Sequence, residues 1–248
     1  MNDIRSDAAV SRRPPHPGWH ERPLDLVKRD HPLGRGGGLA ASGGPESGFA
    51  GIASASAALR QYEERVSDGP DAVALVAGEL SLTYRQLDRR ANRLARVLRR
   101  SGVDPRATVA VLLPQSADFV VACLAVLKAG GRCVPVDPVD ALANPALVDG
   151  LRASALVTSH AAASEGHLSP RPPLVVHLDL LEATLARTSP EPLGVPVAPG
   201  DVALIALAER GRPAPAVPLT HFAMSNLLRR LGGRLALGAG DRVLGIEV

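Results

Sequence analysis

Residues 109–136 read VAVLLPQSADFVVACLAVLKAGGRCVPV, and this stretch decides the fold. It opens with a continuous apolar run at 109–113, which is typical of a strand covered on both faces. An apolar helix is predicted at 117–129 and a short strand at 133–136, where Pro135 is acceptable at an edge or an end. A strand, helix and strand in this order predict parallel neighbours joined by a right-handed crossover.

The same alternation continues on both sides of this stretch. Upstream, the pattern predicts a helix at 58–66, a hairpin of strands at 73–76 and 80–82, and a helix that Thr83 and Gln86 begin with a capping box. Downstream, it predicts strands at 155–158, 174–177, 202–207 and from 242, a weaker helix at 145–152, and a helix at 221–231. We therefore predict an α/β fold, with a layered, largely parallel sheet flanked by helices.

Residues 1–54 differ in composition from the rest of the chain. They are rich in glycine and proline, and they show no hydrophobic periodicity. Such a segment cannot bury enough apolar surface to offset its conformational entropy. We predict a disordered leader at 1–54, followed by one partial domain at 55–248.

Composition excludes several classes of function. The net charge is only +3, and no basic block with interleaved aromatic residues occurs, so no nucleic-acid partner is expected. The arginine row on the helix after Thr83 is interpreted as a solvated face. No apolar run has the length of a membrane span, no signal peptide is recognisable, and no histidine or cysteine cluster has metal-ligand spacing. Cys123 and Cys133 are interpreted as buried small hydrophobic residues, and a cytoplasmic protein without a metal is expected.

Three segments match a known family. They read LTYRQL at 82–87, LKAGGRCVPVDP at 127–138 and DRVL at 241–244. These segments resemble core motifs of the adenylate-forming (AMP-binding) enzymes, in particular the adenylation domains of nonribosomal peptide synthesis. The resemblance implies the N-terminal subdomain of that fold. The matching residues have mainly structural roles: Gly130 and Gly131 end a helix, Asp137-Pro138 forms a turn, and Lys128 complements the helix dipole. A catalytic role for Lys128 is the alternative.

The resembled family uses ATP and Mg²⁺, and it holds the ATP phosphates with a loop that is rich in serine, threonine and glycine and closes with Gly-x-Pro-Lys-Gly. Small residues there let backbone amides approach the phosphates, and a cation balances their charge. The matching loop here keeps a remnant at Arg210, Gly211, Arg212 and Pro213. The run of hydroxyl residues is absent, Ala214 replaces the lysine, Pro215 removes an amide donor, and Glu209 would repel a triphosphate. We assign no catalytic residue, and we expect no tightly bound cofactor.

The resemblance also implies that the family's substrate pocket, nucleotide contacts and C-terminal lid lie beyond the position that matches Val248. We therefore expect a truncated unit without activity of its own. The alternatives are a non-catalytic interaction or scaffold module, a fragment completed by another chain, and an active ligase completed in trans. Other synthetase modules or self-association are the partners that follow from these hypotheses.

Overall fold

The computed structural model describes residues 58–143, 152–165, 172, 174–207, 216–238 and 240–243. The predicted leader at 1–54 and nearly all of the weak helix predicted at 145–152 lie outside these ranges. The division of the chain at residue 55 therefore stays a prediction.

One six-stranded sheet forms the centre of the described structure, in the order β6-β5-β3-β4-β7-β8. Its first five strands are parallel, and β8 pairs with β7 in the antiparallel direction. A separate antiparallel hairpin of β1 and β2 precedes it. The strands are β1 Val73–Ala77, β2 Leu80–Thr83, β3 Thr108–Leu112, β4 Arg132–Val136, β5 Ala155–Thr158, β6 Leu174–His177, β7 Val202–Ala206 and β8 Val217–Thr220. This arrangement confirms the predicted α/β sheet.

The helices begin where the sequence supplies caps. The Thr83 hydroxyl accepts a hydrogen bond from Gln86 N at 3.2 Å, and the Gln86 side chain accepts one from Thr83 N at 2.9 Å, which confirms the capping box. The hydroxyls of Ser116 and Thr220 cap two further helices by accepting hydrogen bonds from Phe119 N and Ala223 N. The helices are α1 Ala58–Asp68, α2 Tyr84–Arg100, α3 Ala117–Lys128, α4 Pro138–Ala143, α5 His160–Glu165, α6 Glu182–Arg187 and α7 His221–Arg234, with a 3-10 turn at Leu178–Leu180.

The main core lies between the sheet and the pair α2 and α3. Leu94 and Leu98 of α2 are 1% and 0% exposed, and the strand residues Val109 and Val111 are 0% exposed. Valine, leucine and alanine fill this core because aromatic residues make up only 2% of the chain. The prediction that β3 is covered on both faces is confirmed.

Pro135 lies near the end of β4, which is one of the two places predicted for it. Strand β4 is an interior strand, so the sheet edge does not apply, and Pro135 lies beyond Cys133, the one position at which β4 pairs with β7. The structure corrects three other details of the sequence interpretation. Asp137-Pro138 begins helix α4 and is not a simple turn. Arg242 and Val243 are not in a strand. Strand β8 and helices α4, α5 and α6 were not predicted.

The arginine row of α2 is only partly solvated. Arg85, Arg89 and Arg100 are exposed as predicted, but Arg93 and Arg96 are half-buried. The Arg96 Nη2 atom donates a hydrogen bond to the carbonyl oxygen of Glu191 at 3.0 Å. This half of the row therefore holds a distant segment of the chain against α2.

Candidate functional site

The segment that resembles the phosphate loop connects β7 to β8. Ala206 at the end of β7 pairs with Val217 at the start of β8, so the loop leaves the sheet at the carboxyl end of β7 and returns beside it. Ligands of open α/β sheets bind outside the carboxyl ends of the strands, and β7 ends at that edge. Its predicted site residues Arg210, Gly211, Arg212 and Pro213 lie outside the described residues. Their assignment to phosphate contacts therefore stays a prediction.

Polar side chains that follow the other strands accept hydrogen bonds from backbone N–H groups. The Asp137 carboxylate after β4 accepts a hydrogen bond from Val139 N at 2.7 Å. The Ser159 hydroxyl after β5 accepts one from Ala162 N at 3.2 Å, and the Asp179 carboxylate after β6 accepts one from His160 N at 2.9 Å. These groups stabilise the starts of helices and turns. Among the described residues, no group of three or more metal-ligating side chains could hold a metal ion.

Lys128 is a buried side chain that joins three helices. It lies in the last turn of α3 with only 4% of its side chain exposed. Its Nζ atom is 2.9 Å from Asp88 of α2 and 3.4 Å from Glu63 of α1, and it lies 5.7 Å from the centre of the Tyr62 ring. The predicted dipole contact is thus accompanied by two ion pairs and a cation–π contact, which sequence reasoning missed.

This arrangement separates Lys128 from the loop. The end of α3 leads into the amino end of β4, whereas the loop leaves the carboxyl end of the parallel strand β7. A five-residue strand rises about 3.3 Å per residue, so roughly 15 Å of sheet lies between the two ends. A cavity of about 430 Å³ lies beside Lys128, and both carboxylates of the ion pairs line it. The position and pairing of Lys128 favour a structural role.

The polypeptide that returns from the loop is anchored at the start of α7. His221 is 1% exposed, and its backbone N–H donates to the carbonyl oxygen of Asp201 at 2.9 Å. The Asp201 carboxylate accepts hydrogen bonds from Ala198 N and from Arg106 Nε, each at 2.9 Å, and these bonds hold its pKa below the usual value. Burial lowers the pKa of His221. The negative charge of Asp201 acts in the opposite direction but is the smaller effect, so the imidazole is neutral at physiological pH.

A proline-rich connection between α6 and β7 covers one side of α2. Asn92 Nδ2 donates a hydrogen bond to the carbonyl oxygen of Pro190 at 2.8 Å, and the side chains of Leu193 and Val197 pack against the main core. Gly130 has a φ of +79°, and a Cβ atom built there would lie 2.8 Å from Val195 Cγ1. The close approach explains why glycine is needed at this position.

The two cysteines lie near each other in the core and are both free thiols. Cys133 is buried as predicted, whereas Cys123 is half-buried. A hydrogen bond with Cys123 and burial raise the pKa of the Cys133 thiol well above its ordinary value. This environment disfavours a reactive thiolate. In the described part of the chain, no helix is both long and apolar enough to cross a membrane.

The family comparison agrees with this α/β fold. Residues 62–208 match the family model described as AMP-binding enzyme, and the chain belongs to this family. It is 32% identical over 190 residues to a dimodular nonribosomal peptide synthase of Bacillus subtilis. The aligned region covers 75% of this chain and 8% of that protein. It is also 53% identical over 77 residues to tyrocidine synthase 3 of Brevibacillus parabrevis. This aligned region covers 31% of this chain and 1% of the synthase. The chain is therefore related to the adenylation modules of peptide synthetases, and it spans a small part of these relatives.

Solved structures show the same relationship. A nonribosomal peptide synthetase with α-methyl-L-serine-AMP bound superposes with a TM-score of 0.65 at 26% identity, over 75% of this chain and 20% of that one. The same synthetase has been solved with AMPPNP bound. A long-chain fatty-acid–CoA ligase of Archaeoglobus fulgidus superposes with a TM-score of 0.66 at 21% identity, over 75% of this chain and 40% of that one, and shares the fold alone.

Proposed function

We propose that this chain is an adenylation-like unit of the peptide-synthetase lineage that does not activate a carboxylic acid by itself. The observation that carries the proposal is the chemistry of the loop between β7 and β8. The loop has no lysine and no serine or threonine, and proline stands where the family has its last glycine. A loop of this composition offers a triphosphate no hydroxyl donor, and Pro213 and Pro215 lack the amide N–H.

The described polar residues at the carboxyl edge of the sheet also give no support for bound ATP with Mg²⁺. Asp137, Ser159 and Asp179 at the carboxyl edge of the sheet accept hydrogen bonds from backbone N–H groups. The sequence has only one lysine after the leader, and the structure buries that residue, Lys128, between two carboxylates. Arg210 and Arg212 are the cations that could contact a phosphate, but Glu209 beside them opposes an anion. We therefore propose that no nucleotide binds tightly.

A second function, as a non-catalytic interaction module, is favoured by one specific observation. Leu227, Leu228 and Leu231 of α7 are each about half exposed on a single helix. Apolar side chains grouped in this way mark partner sites on folded proteins. The proposed partners are other modules of a peptide synthetase, another chain that completes the domain, or a second copy, and the proposed location is the cytoplasm.

Titration of the full chain with MgATP in a calorimeter tests the proposal. We expect no saturable heat, which corresponds to a Kd weaker than about 1 mM and a binding free energy weaker than about −4 kcal/mol. The Arg212→Ala variant provides a matched control, because it should give the same trace if the remnant loop does not hold phosphate. Saturable binding with a micromolar Kd that Arg212→Ala weakens would overturn the proposal.

A further inference from the structure

Four arginines lie in a row along the outer side of helix α2. Arg89, Arg93, Arg96 and Arg100 follow one another at intervals of 4, 3 and 4 residues. At about 100° per residue they fall within roughly 60° of one another, on the side of the helix opposite its buried leucines. We name these four residues the α2 arginine strip. At 1.5 Å per residue the strip is about 16 Å long.

The positive charge of the strip is not neutralised within the described part of the chain. All the ion pairs that α2 makes there involve other residues of the helix. Arg96 Nη2 donates to a carbonyl oxygen, that of Glu191, and this neutral acceptor leaves the charge in place. Asp88 is the one acidic residue of the helix, and its carboxylate is 2.9 Å from Lys128 Nζ. The strip therefore presents four positive charges on one side of α2.

The middle of the strip is held by packing, whereas its ends extend into solvent. Arg93 and Arg96 are half-buried, and their Nε atoms are covered by protein, where no acceptor among the described residues reaches them. Arg89 and Arg100 are exposed. Side chains that packing already orients lose less freedom on binding, and a guanidinium group binds a carboxylate through two parallel hydrogen bonds. The strip is thus suited to a row of carboxylates.

Carboxylates near both ends limit the length of anion that the strip can hold. Before the strip, the Asp71 carboxylate accepts hydrogen bonds from Arg85 at 3.0 and 3.1 Å. After it, the Asp104 carboxylate is 87% exposed and lies 3.7 Å from Arg99 Nη1. A long nucleic acid or a flat anionic membrane would meet these negative groups. No aromatic residue occurs at 89–100 on which bases could stack, so a short acidic protein segment fits best.

The spacing of the strip matches a helix better than an extended peptide. Steps of four, three and four residues rise by about 6, 4.5 and 6 Å along the axis. Alternate residues of an extended strand are about 6.8 Å apart, so its side chains would drift out of step with the arginines. We propose that the α2 arginine strip binds a short acidic helix of a partner protein, whose carboxylates repeat the same spacing. Because this spacing reads the same in both directions, either orientation of the partner helix is accommodated.

This inference rests on the interaction-module part of the proposed function, and it names the chemistry of the partner. It does not depend on whether the loop between β7 and β8 binds nucleotide. An exposed ion pair strengthens binding by only roughly twofold to fivefold, and salt screens it. The contact is therefore weak and sensitive to ionic strength.

Fluorescence anisotropy with a labelled, alanine-rich helical peptide tests the proposal. The glutamates of this peptide follow the spacing of the strip, and a second peptide carries glutamine at the same positions. For the full chain at about 50 mM salt, we expect a Kd of roughly 10–500 µM for the glutamate peptide and no saturable binding of the glutamine peptide. Binding should weaken at least about fivefold at about 300 mM salt. A wild type that does not prefer glutamate to glutamine would overturn the proposal.

Charge reversal assigns the binding to the strip. Arg89→Glu/Arg100→Glu changes its two exposed residues and should weaken binding at least about tenfold. Arg229→Glu/Arg230→Glu is the matched control, because it makes the same change in net charge at two exposed arginines of α7. The control should bind within about threefold of the wild type. Equal loss in the two variants would mean that overall charge alone attracts the peptide, and the proposal would be wrong.

Two further probes test the other classes of anion. A single-stranded oligonucleotide as long as the peptide and vesicles rich in phosphatidylserine should both bind more weakly than the glutamate peptide. Tighter binding of either one, if Arg89→Glu/Arg100→Glu abolishes it, would overturn the choice of an acidic protein. The interaction role proposed for the leucines of α7 is tested separately, because Leu228→Glu should leave binding of the peptide unchanged.

Discussion

Replacing Lys128 with methionine is expected to lower the free energy of unfolding by about 3 kcal/mol, since removal of one partner leaves a buried charge uncompensated. Lys128 is 4% exposed at its side chain, and its closest partner, the Asp88 carboxylate at 2.9 Å, is 14% exposed. Without the ammonium group, this carboxylate keeps only the hydrogen bond from Asn92 Nδ2 at 2.8 Å. Equilibrium unfolding in urea, followed by circular dichroism, measures the loss.

Two control variants separate the buried charge from lost packing. Glu63 is 48% exposed at its side chain, so Glu63→Gln should cost less than about 1 kcal/mol. In Lys128→Met/Asp88→Leu both charges are removed, and the double variant should be more stable than Lys128→Met alone. If Lys128→Met costs less than about 1 kcal/mol, or if the double variant is less stable than the single one, the ion pair does not hold the helices together.

Gly130→Ala is expected to destabilise the protein by about 2–3 kcal/mol, because two costs add at this position. The φ of +79° strains any residue with a Cβ atom, and the new Cβ would lie 2.8 Å from Val195 Cγ1 and 3.5 Å from Pro105 Cβ. The proline-rich connection would have to move away from the end of α3. Thermal unfolding measured by calorimetry gives the size of the effect.

Gly78→Ala is the matched control for this prediction. Gly78 has a φ of +58°, but a Cβ atom there meets nothing within 4 Å. It should therefore show only the backbone cost, about 1 kcal/mol. Equal effects of the two substitutions would mean that the contact with Val195 contributes nothing and that the connection is held by other groups.

Local sequence signals predicted the longer helices and most of the strands of this fold, but not β8 or the short helices α4, α5 and α6. Thr83 and Gln86 mark the start of α2 by their reciprocal capping bonds, and the apolar run at 109–113 identifies a strand buried on both faces. Helix α3 ends at Lys128, just before the two glycines that the sequence marks as its stop. These features depend on residues a few positions apart, which is why a pattern in one sequence reveals them.

Contacts between distant residues were not accessible in this way. The partners of Lys128 lie on α1 and α2, and the positions of Glu63 and Asp88 in the sequence do not predict an ion pair with α3. The interior position of Pro135 depends on the order in which β7 joins the sheet. Hydrophobic periodicity likewise cannot predict that the end of α7 is exposed, because its leucines have the same spacing as the leucines of a buried helix face.

The candidate site was predicted from chemistry rather than from geometry. The sequence identifies the loop between two elements, and the structure confirms that β7 leads into it at the carboxyl edge of the sheet. The contacts of Arg210 and Arg212 lie outside the described residues and stay a prediction. The absent lysine and hydroxyl groups are facts of the sequence, and the proposal of an inactive unit depends on them.

Exchange of labelled pyrophosphate into ATP tests that proposal most directly. Loss of a single preorganised electrostatic contact reduces turnover by about 10²–10³-fold, and several contacts are absent together here. We expect no exchange above background when the full chain is incubated with MgATP and each of the common amino and aryl acids. Exchange that depends on one added acid, and that is lost in Arg212→Ala, would contradict the account and show that the remnant loop still supports adenylation.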